Sequence, residues 1–205
     1  MQSNREMAEQ VFQEELAQLT PQGREFALKV FEHLAPNYFF SAPASSSGKY
    51  HPAVSLGAGG IVRHTKYAFW WVKMLGRAFS IEPGSPELDA CLVAILLHDL
   101  LKFGRKADPV TGRSFEGNTT ATHGVTLAGL IQPLFIGVDV TPFFKEVVES
   151  GIAAHMGVWT KPDSHTCWNI GTSSQRVKHC VILVHLADMA SAQKADECMS
   201  KLMEE

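Results

Sequence analysis

Apolar residues recur at steps of three and four along almost the whole chain, and this period restricts the fold more than any other feature. Segments 4–19, 22–35, 60–79, 86–103, 119–134, 142–156 and 173–203 all carry it, whereas the alternation of a half-buried strand is hardly seen. Each helix so predicted has a stripe that must be buried against another helix. The expectation is therefore an all-α bundle. Three helix starts are marked independently, because Thr20, Ser85 and Thr141 each precede a proline, the pairing of an N-cap with a first-turn proline. The two longest intervening stretches, SAPASSSGKYHPAVSLGAGG (41–60) and GVWTKPDSHTCWNIGTSS (157–174), are loops of a length that is often functional. No repeat or composition break marks a boundary, so residues 1–205 are expected to form one domain. Its core would span about 60–190, with the helices of 4–35 packed on it.

Several stripes contain residues that do not belong in an apolar core. Along 60–79 the stripe reads Ile61, His64, Ala68, Trp71, Leu75; along 119–134 it reads His123, Leu127, Leu130, Leu134. Along 142–156 it is Phe144, Val148, Ile152, His155, and on the last helix Val177, Val181, Val184, Asp188. His98 and Asp99 follow CLVAILL, a run apolar enough to be buried nearly all round. A lone histidine on such a stripe is more often a hydrogen-bonded core residue than a ligand. Six such groups on five helices are a different matter.

A carboxylate buried without a partner costs several kcal/mol or neutralises, so Asp99 and Asp188 need counter-charge. Arg63, Arg77, Arg105, Arg113 and Arg176 lie nearby in sequence, and none falls on these stripes. A divalent cation would satisfy every inward group together, since imidazole nitrogen and carboxylate oxygen suit zinc, manganese and iron alike.

Other properties narrow the setting. With a formal net charge of -3 and no sustained Lys/Arg block, the chain lacks the footprint of a duplex nucleic-acid or membrane-surface binder, while a small anionic substrate remains allowed. The four cysteines show no CxxC spacing, and Cys91 sits within an apolar run, so structural disulfides are not expected. The N-terminus has no signal-like apolar region, and no stretch approaches the roughly 18 apolar residues of a membrane span. These features read as a cytoplasmic protein. Its oligomeric state is not legible.

The order His64, His98-Asp99, Asp188 resembles the H…HD…D signature of the HD superfamily of metal-dependent phosphohydrolases, over about 60–190. HDLLKFG (98–104) also resembles the HDxxK form of binuclear members such as cyclic-di-nucleotide phosphodiesterases and CRISPR-associated HD nucleases. Those members carry two further histidines before the last aspartate, and His123 and His155 fall in that interval. Where several of them have a His-His pair, this chain reads His155-Met156.

The resemblance implies a compact HD-type bundle with a central metal site. His64, His98, Asp99 and Asp188 would hold one ion, and Asp99, His123 and His155 a second, with Asp99 bridging. The cofactor expected is a divalent metal, two ions drawn from manganese, iron, nickel, cobalt, magnesium or zinc. Two ions about 3.5–4 Å apart would clamp an attacking hydroxide and the phosphoryl oxygens of an in-line displacement. The expected partner is a small phosphorylated substrate, a nucleotide or a related compound. Lys102, one turn beyond His98, could neutralise a phosphate oxygen, or could be a solvated lysine at a helix end. Lys49 and His51 in the loop SSSGKYHP (45–52), together with Arg63 and Lys161, are candidate substrate contacts, although the loop lacks P-loop spacing and could be simple linker. His185, one turn before Asp188, could support a ligand or replace one. The same ligand set also fits an HD-type di-iron oxygenase, or a regulatory module that senses a nucleotide.

Overall fold

The computed structural model describes residues 2–45, 51–104, 120–160, 166, 169–171 and 174–193. Within them the chain is all-helical, with no strand among the described residues. The helices are α1 (Asn4–Val11), α2 (Gln13–Leu16), α3 (Pro21–Leu34), α4 (Gly60–Ala78), α5 (Pro86–Leu97), α6 (His123–Ile131), α7 (Pro142–Ala154) and α8 (Gln175–Ala192). Each of the three proline-marked starts is capped as expected. Thr20 accepts from the Gly23 N–H at 3.0 Å, Ser85 from Leu88 at 3.2 Å and Thr141 from Phe144 at 3.1 Å, each such cap being worth about 1 kcal/mol.

α5 is the axis of the bundle. Every residue from Leu88 to Leu97 is buried, because α7, α4, α8 and α3 all pack against it. This is why its sequence is apolar on all sides rather than striped. One hydrophobic cluster extends from Ala8 on α1 to Ala187 on α8. The N-terminal helices join it through stacked aromatics, Phe12 on Phe31 at 5.5 Å and Phe26 on Phe135 at 4.1 Å between ring centroids. They are also tied by a buried carboxylate. Asp89 accepts from the Thr20 N–H at 2.8 Å and from the Thr20 hydroxyl at 2.7 Å, so α5 anchors the cap of α3.

Several helices are shorter than their periodicity predicts, among them α8, which ends at Ala192 where Gln193 turns extended. The 4–19 segment bends at Phe12, which divides α1 from α2. The 119–134 segment begins its helix only at His123 and tightens to a 3-10 turn at Gln132–Phe135, where Pro133 cannot donate to an α-helical ladder. The 86–103 segment leaves α-helical geometry after Leu97 and continues in tight turns: Leu100 donates to Leu97, Lys102 to Asp99 and Gly104 to Leu101. Tyr38 holds that end in place, its hydroxyl donating to the Gly104 carbonyl at 2.8 Å and accepting from the Phe103 N–H at 3.1 Å. No helix among the described residues is long and apolar enough to cross a membrane.

Candidate metal centre

The inward polar groups of α4, α5, α6, α7 and α8 meet beside α5. His64 lies five residues into α4, His98 caps the C-terminus of α5, His123 opens α6, His155 caps the C-terminus of α7, and Asp188 lies in the last turns of α8. All four imidazoles and Asp99 are buried. Their rings form a continuous row, with centroids 5.3 Å apart for His64 and His98, 4.9 Å for His98 and His155, and 4.8 Å for His155 and His123.

Which nitrogen faces the centre is fixed by the other one. A backbone carbonyl can only accept, so Nδ1–H must be the donor where His98 meets Ile95 O at 2.6 Å, His123 meets Thr120 O at 2.7 Å and His155 meets Ile152 O at 2.7 Å. On His64 the Nδ1 lies 3.1 Å from the Ser191 hydroxyl, which itself donates to the Asp188 carbonyl at 2.7 Å and so accepts from the ring. Each neutral imidazole therefore presents a bare Nε2 lone pair to the centre, the tautomer a metal requires. Those lone pairs face one another: His64 Nε2 is 3.3 Å from His98 Nε2, and His123 Nε2 is 3.0 Å from His155 Nε2. Two lone pairs cannot hydrogen-bond. A shared proton or a metal ion could sit between them.

The carboxylates complete two groups. Asp99 Oδ2 lies 3.6 Å from His64 Nε2 and 3.5 Å from His98 Nε2, while Asp188 Oδ1 lies 3.0 and 3.5 Å from the same atoms. The other oxygen of Asp99, Oδ1, lies 3.0 Å from His123 Nε2 and 3.6 Å from His155 Nε2. Ligand atoms bonded to one divalent ion at about 2.0–2.2 Å stand about 2.8–3.6 Å apart, from octahedral to tetrahedral angles. The spacings here fall within that range. The sets His64, His98, Asp99 and Asp99, His123, His155 could each hold a metal ion. Asp99 belongs to both, one oxygen for each.

Electrostatics favour positive charge at this point. Burial alone would raise the Asp99 carboxyl, but the charges of Lys102 and His98, with the close approach of the His123 and His155 rings, hold it well below the usual carboxylate range. Asp188 is likewise held low, because the close approach of the His64 and His98 rings outweighs its burial. Burial pushes His155 down to about 4 and lowers His64, keeping both lone pairs free at neutral pH. His98 moves the other way, since Asp99 and Asp188 outweigh its burial. A divalent ion would exploit the same negative field and displace that proton.

Lys102 departs from the sequence reading in part. It is buried rather than solvated and pairs with Asp99 Oδ2 three residues earlier, so Asp99 does have a basic partner. That partner is a lysine and not one of the arginines. Arg63 is spent elsewhere: its Nε donates to the Val54 carbonyl, and its two terminal nitrogens to those of Ala58 and Leu56 at 2.8 Å each. It clasps the loop before α4 instead of offering a free cation to substrate. Lys49 and Lys161 lie outside the described residues. His51 is brought to the centre, its ring edge-on to His64 at 5.0 Å.

His185 supports the centre through the main chain, Nδ1 donating to the His155 carbonyl at 2.7 Å. Its ring fills the space over Gly157, where a Cβ would come within 2.3 Å of Cε1, and Gly157 has φ +58°, a left-handed conformation suited to glycine. A second glycine lets α6 and α7 approach. A Cβ at Gly124 would stand 2.5 Å from the Ile152 carbonyl and 3.0 Å from the His155 ring. Neither glycine was singled out by its sequence context.

Comparison with protein-family models, with curated proteins and with solved structures gives no match.

Proposed function

We propose that this chain is a metal-dependent phosphohydrolase of the HD type, acting in the cytoplasm on the phosphomonoester or phosphodiester bond of a nucleotide or related small phosphate. The observation that carries the reading is Asp99, which turns one oxygen to His64 and His98 and the other to His123 and His155. That division, in the chain order H…HD…H…H…D, is what a bridged pair of divalent ions calls for. Ions held there would supply Lewis acidity and a nucleophilic water deprotonated near neutral pH.

The protein's own groups have separable tasks. The four Nε2 atoms and the two carboxylates fix the charge and geometry of the centre before substrate arrives, which spares reorganisation during the reaction. Lys102 pairs with Asp99; with that carboxylate given over to cations, the Lys102 ammonium would be free to meet an anionic phosphoryl oxygen. Asp188, with a side chain 15% exposed, marks the open side of an otherwise buried cluster.

The test is a panel of nucleotides and aryl phosphates assayed with manganese-, iron-, cobalt-, nickel-, magnesium- and zinc-loaded protein. Hydrolysis that chelator removes and Asp99→Ala abolishes is the expected result. Turnover that consumes dioxygen would move the protein to the oxygenase branch of the same ligand set. A folded wild type that binds no divalent ion would overturn the proposal.

A further inference from the structure

We infer that His51 is a substrate-contacting residue, donating a hydrogen bond to an anionic oxygen bound on the His64 and Asp188 side of the centre, and that Arg63 is the residue that positions it. The inference deepens the phosphohydrolase reading and rests on it.

The loop that carries His51 is built to hold it still. Three donors of Arg63 engage the carbonyls of Val54, Leu56 and Ala58. The turn Ala53–Ser55 is pinned from the other side, where the Ala44 N–H donates to the Ser55 carbonyl at 3.1 Å. Arg63 directly precedes His64 on α4, so one helical turn supplies both a ligand of the centre and the clasp of the loop above it. The imidazole of His51 is thereby set edge-on to His64. His64 Nε2 in turn lies 3.0 Å from Asp188 Oδ1, so the His51 ring stands beside the His64 and Asp188 side of the cluster.

Its Nδ1 is buried and has no hydrogen-bond partner among the described residues. The large majority of buried side-chain polar atoms are paired, so each exception asks for an explanation. A hydroxyl can rotate towards a weak partner, whereas a ring nitrogen in a clasped loop cannot. The two metal-capable groups each reach three ligands without His51. What the position lacks is a partner arriving from outside. With two divalent ions and Lys102 set against two carboxylates, the loaded centre is net positive and draws an anion. A phosphoryl oxygen offers only lone pairs, and the N–H of a neutral imidazole is the donor that fits.

The test uses the manganese-loaded 205-residue chain with inorganic phosphate as the probe, measured by calorimetry, and metal content measured on the same samples. His51→Ala should weaken phosphate roughly ten- to a hundredfold, the range for a hydrogen bond to a charged group, with manganese stoichiometry unchanged. His51→Gln, which keeps a donor, should recover much of the loss. Arg63→Ala should also weaken phosphate, and adding it to His51→Ala should cost nothing further, since it acts through that ring. Loss of manganese in His51→Ala would make His51 a ligand and overturn the inference. Phosphate affinity within twofold of wild type would overturn it too, while leaving the phosphohydrolase reading in place. A wild type that holds manganese but binds no phosphate and cleaves no phosphate ester would sink both.

Discussion

Placing one methyl group on α6 tests the centre's construction without substituting a ligand. Gly124→Ala puts a Cβ 2.5 Å from the Ile152 carbonyl oxygen, the same oxygen that accepts from His155 Nδ1, and 3.0 Å from two atoms of the His155 ring. An ordinary contact needs about 3.4 Å, so α6 must retreat from α7 by about 1 Å or the carbonyl and ring must yield. Overpacking of this kind costs about 1–3 kcal/mol, against which helix propensity returns up to about 1 kcal/mol. Gly129→Ala, on the same helix, meets nothing within 4 Å and should gain the propensity term alone. In a chain of 205 residues, about 1 kcal/mol moves Tm by about 2–4 °C. Melting of chelator-treated protein should therefore drop by several degrees for Gly124→Ala and rise by a few for Gly129→Ala. Because the displaced ring is His155, Gly124→Ala should also lose the second ion while keeping the first. If both variants were stabilised alike, with unchanged metal content, the close approach of α6 and α7 and its role in aiming His155 would be refuted.

Nuclearity is tested by His123→Ala and His155→Ala: each should reduce bound metal from two ions to one per chain and cut turnover by orders of magnitude, because His64, His98, Asp99 and Asp188 remain. One ion per chain before and after, with near wild-type turnover, would show a mononuclear enzyme. In the metal-free protein, His155 has a folded pKa of about 4 below an unfolded value of about 6.5. The stability it contributes is present above pH 6.5 and is lost as pH falls towards 4, amounting to about 2 kcal/mol between pH 7 and 5. His98, whose pKa is raised, contributes in the opposite sense. The comparison is thus with His155→Asn, which should lose about 2 kcal/mol less than wild type over that interval in urea denaturation; equal pH slopes would show that His155 is not held neutral by burial.

Helix starts and helix faces were legible in the residues because both are local. Thr20, Ser85 and Thr141 cap where the following proline says they should, and His64, His123 and His155 sit on the stripes that the 3.6-residue period assigns to the interior. The all-α class follows from the same period. Helix ends were less legible, since α5 stops at Leu97 where the hydroxyl of Tyr38, about sixty residues earlier, takes hold of the Phe103–Gly104 main chain. The division of Asp99 between two histidine pairs, the capture of Lys102 by that carboxylate, and the diversion of Arg63 to three loop carbonyls were decided only by tertiary structure. Spacing along a helix tells which way a side chain points, but which groups it meets depends on α4, α7 and α8 surrounding α5, and on glycines at 124 and 157 that let backbone and rings approach closer than any Cβ would permit.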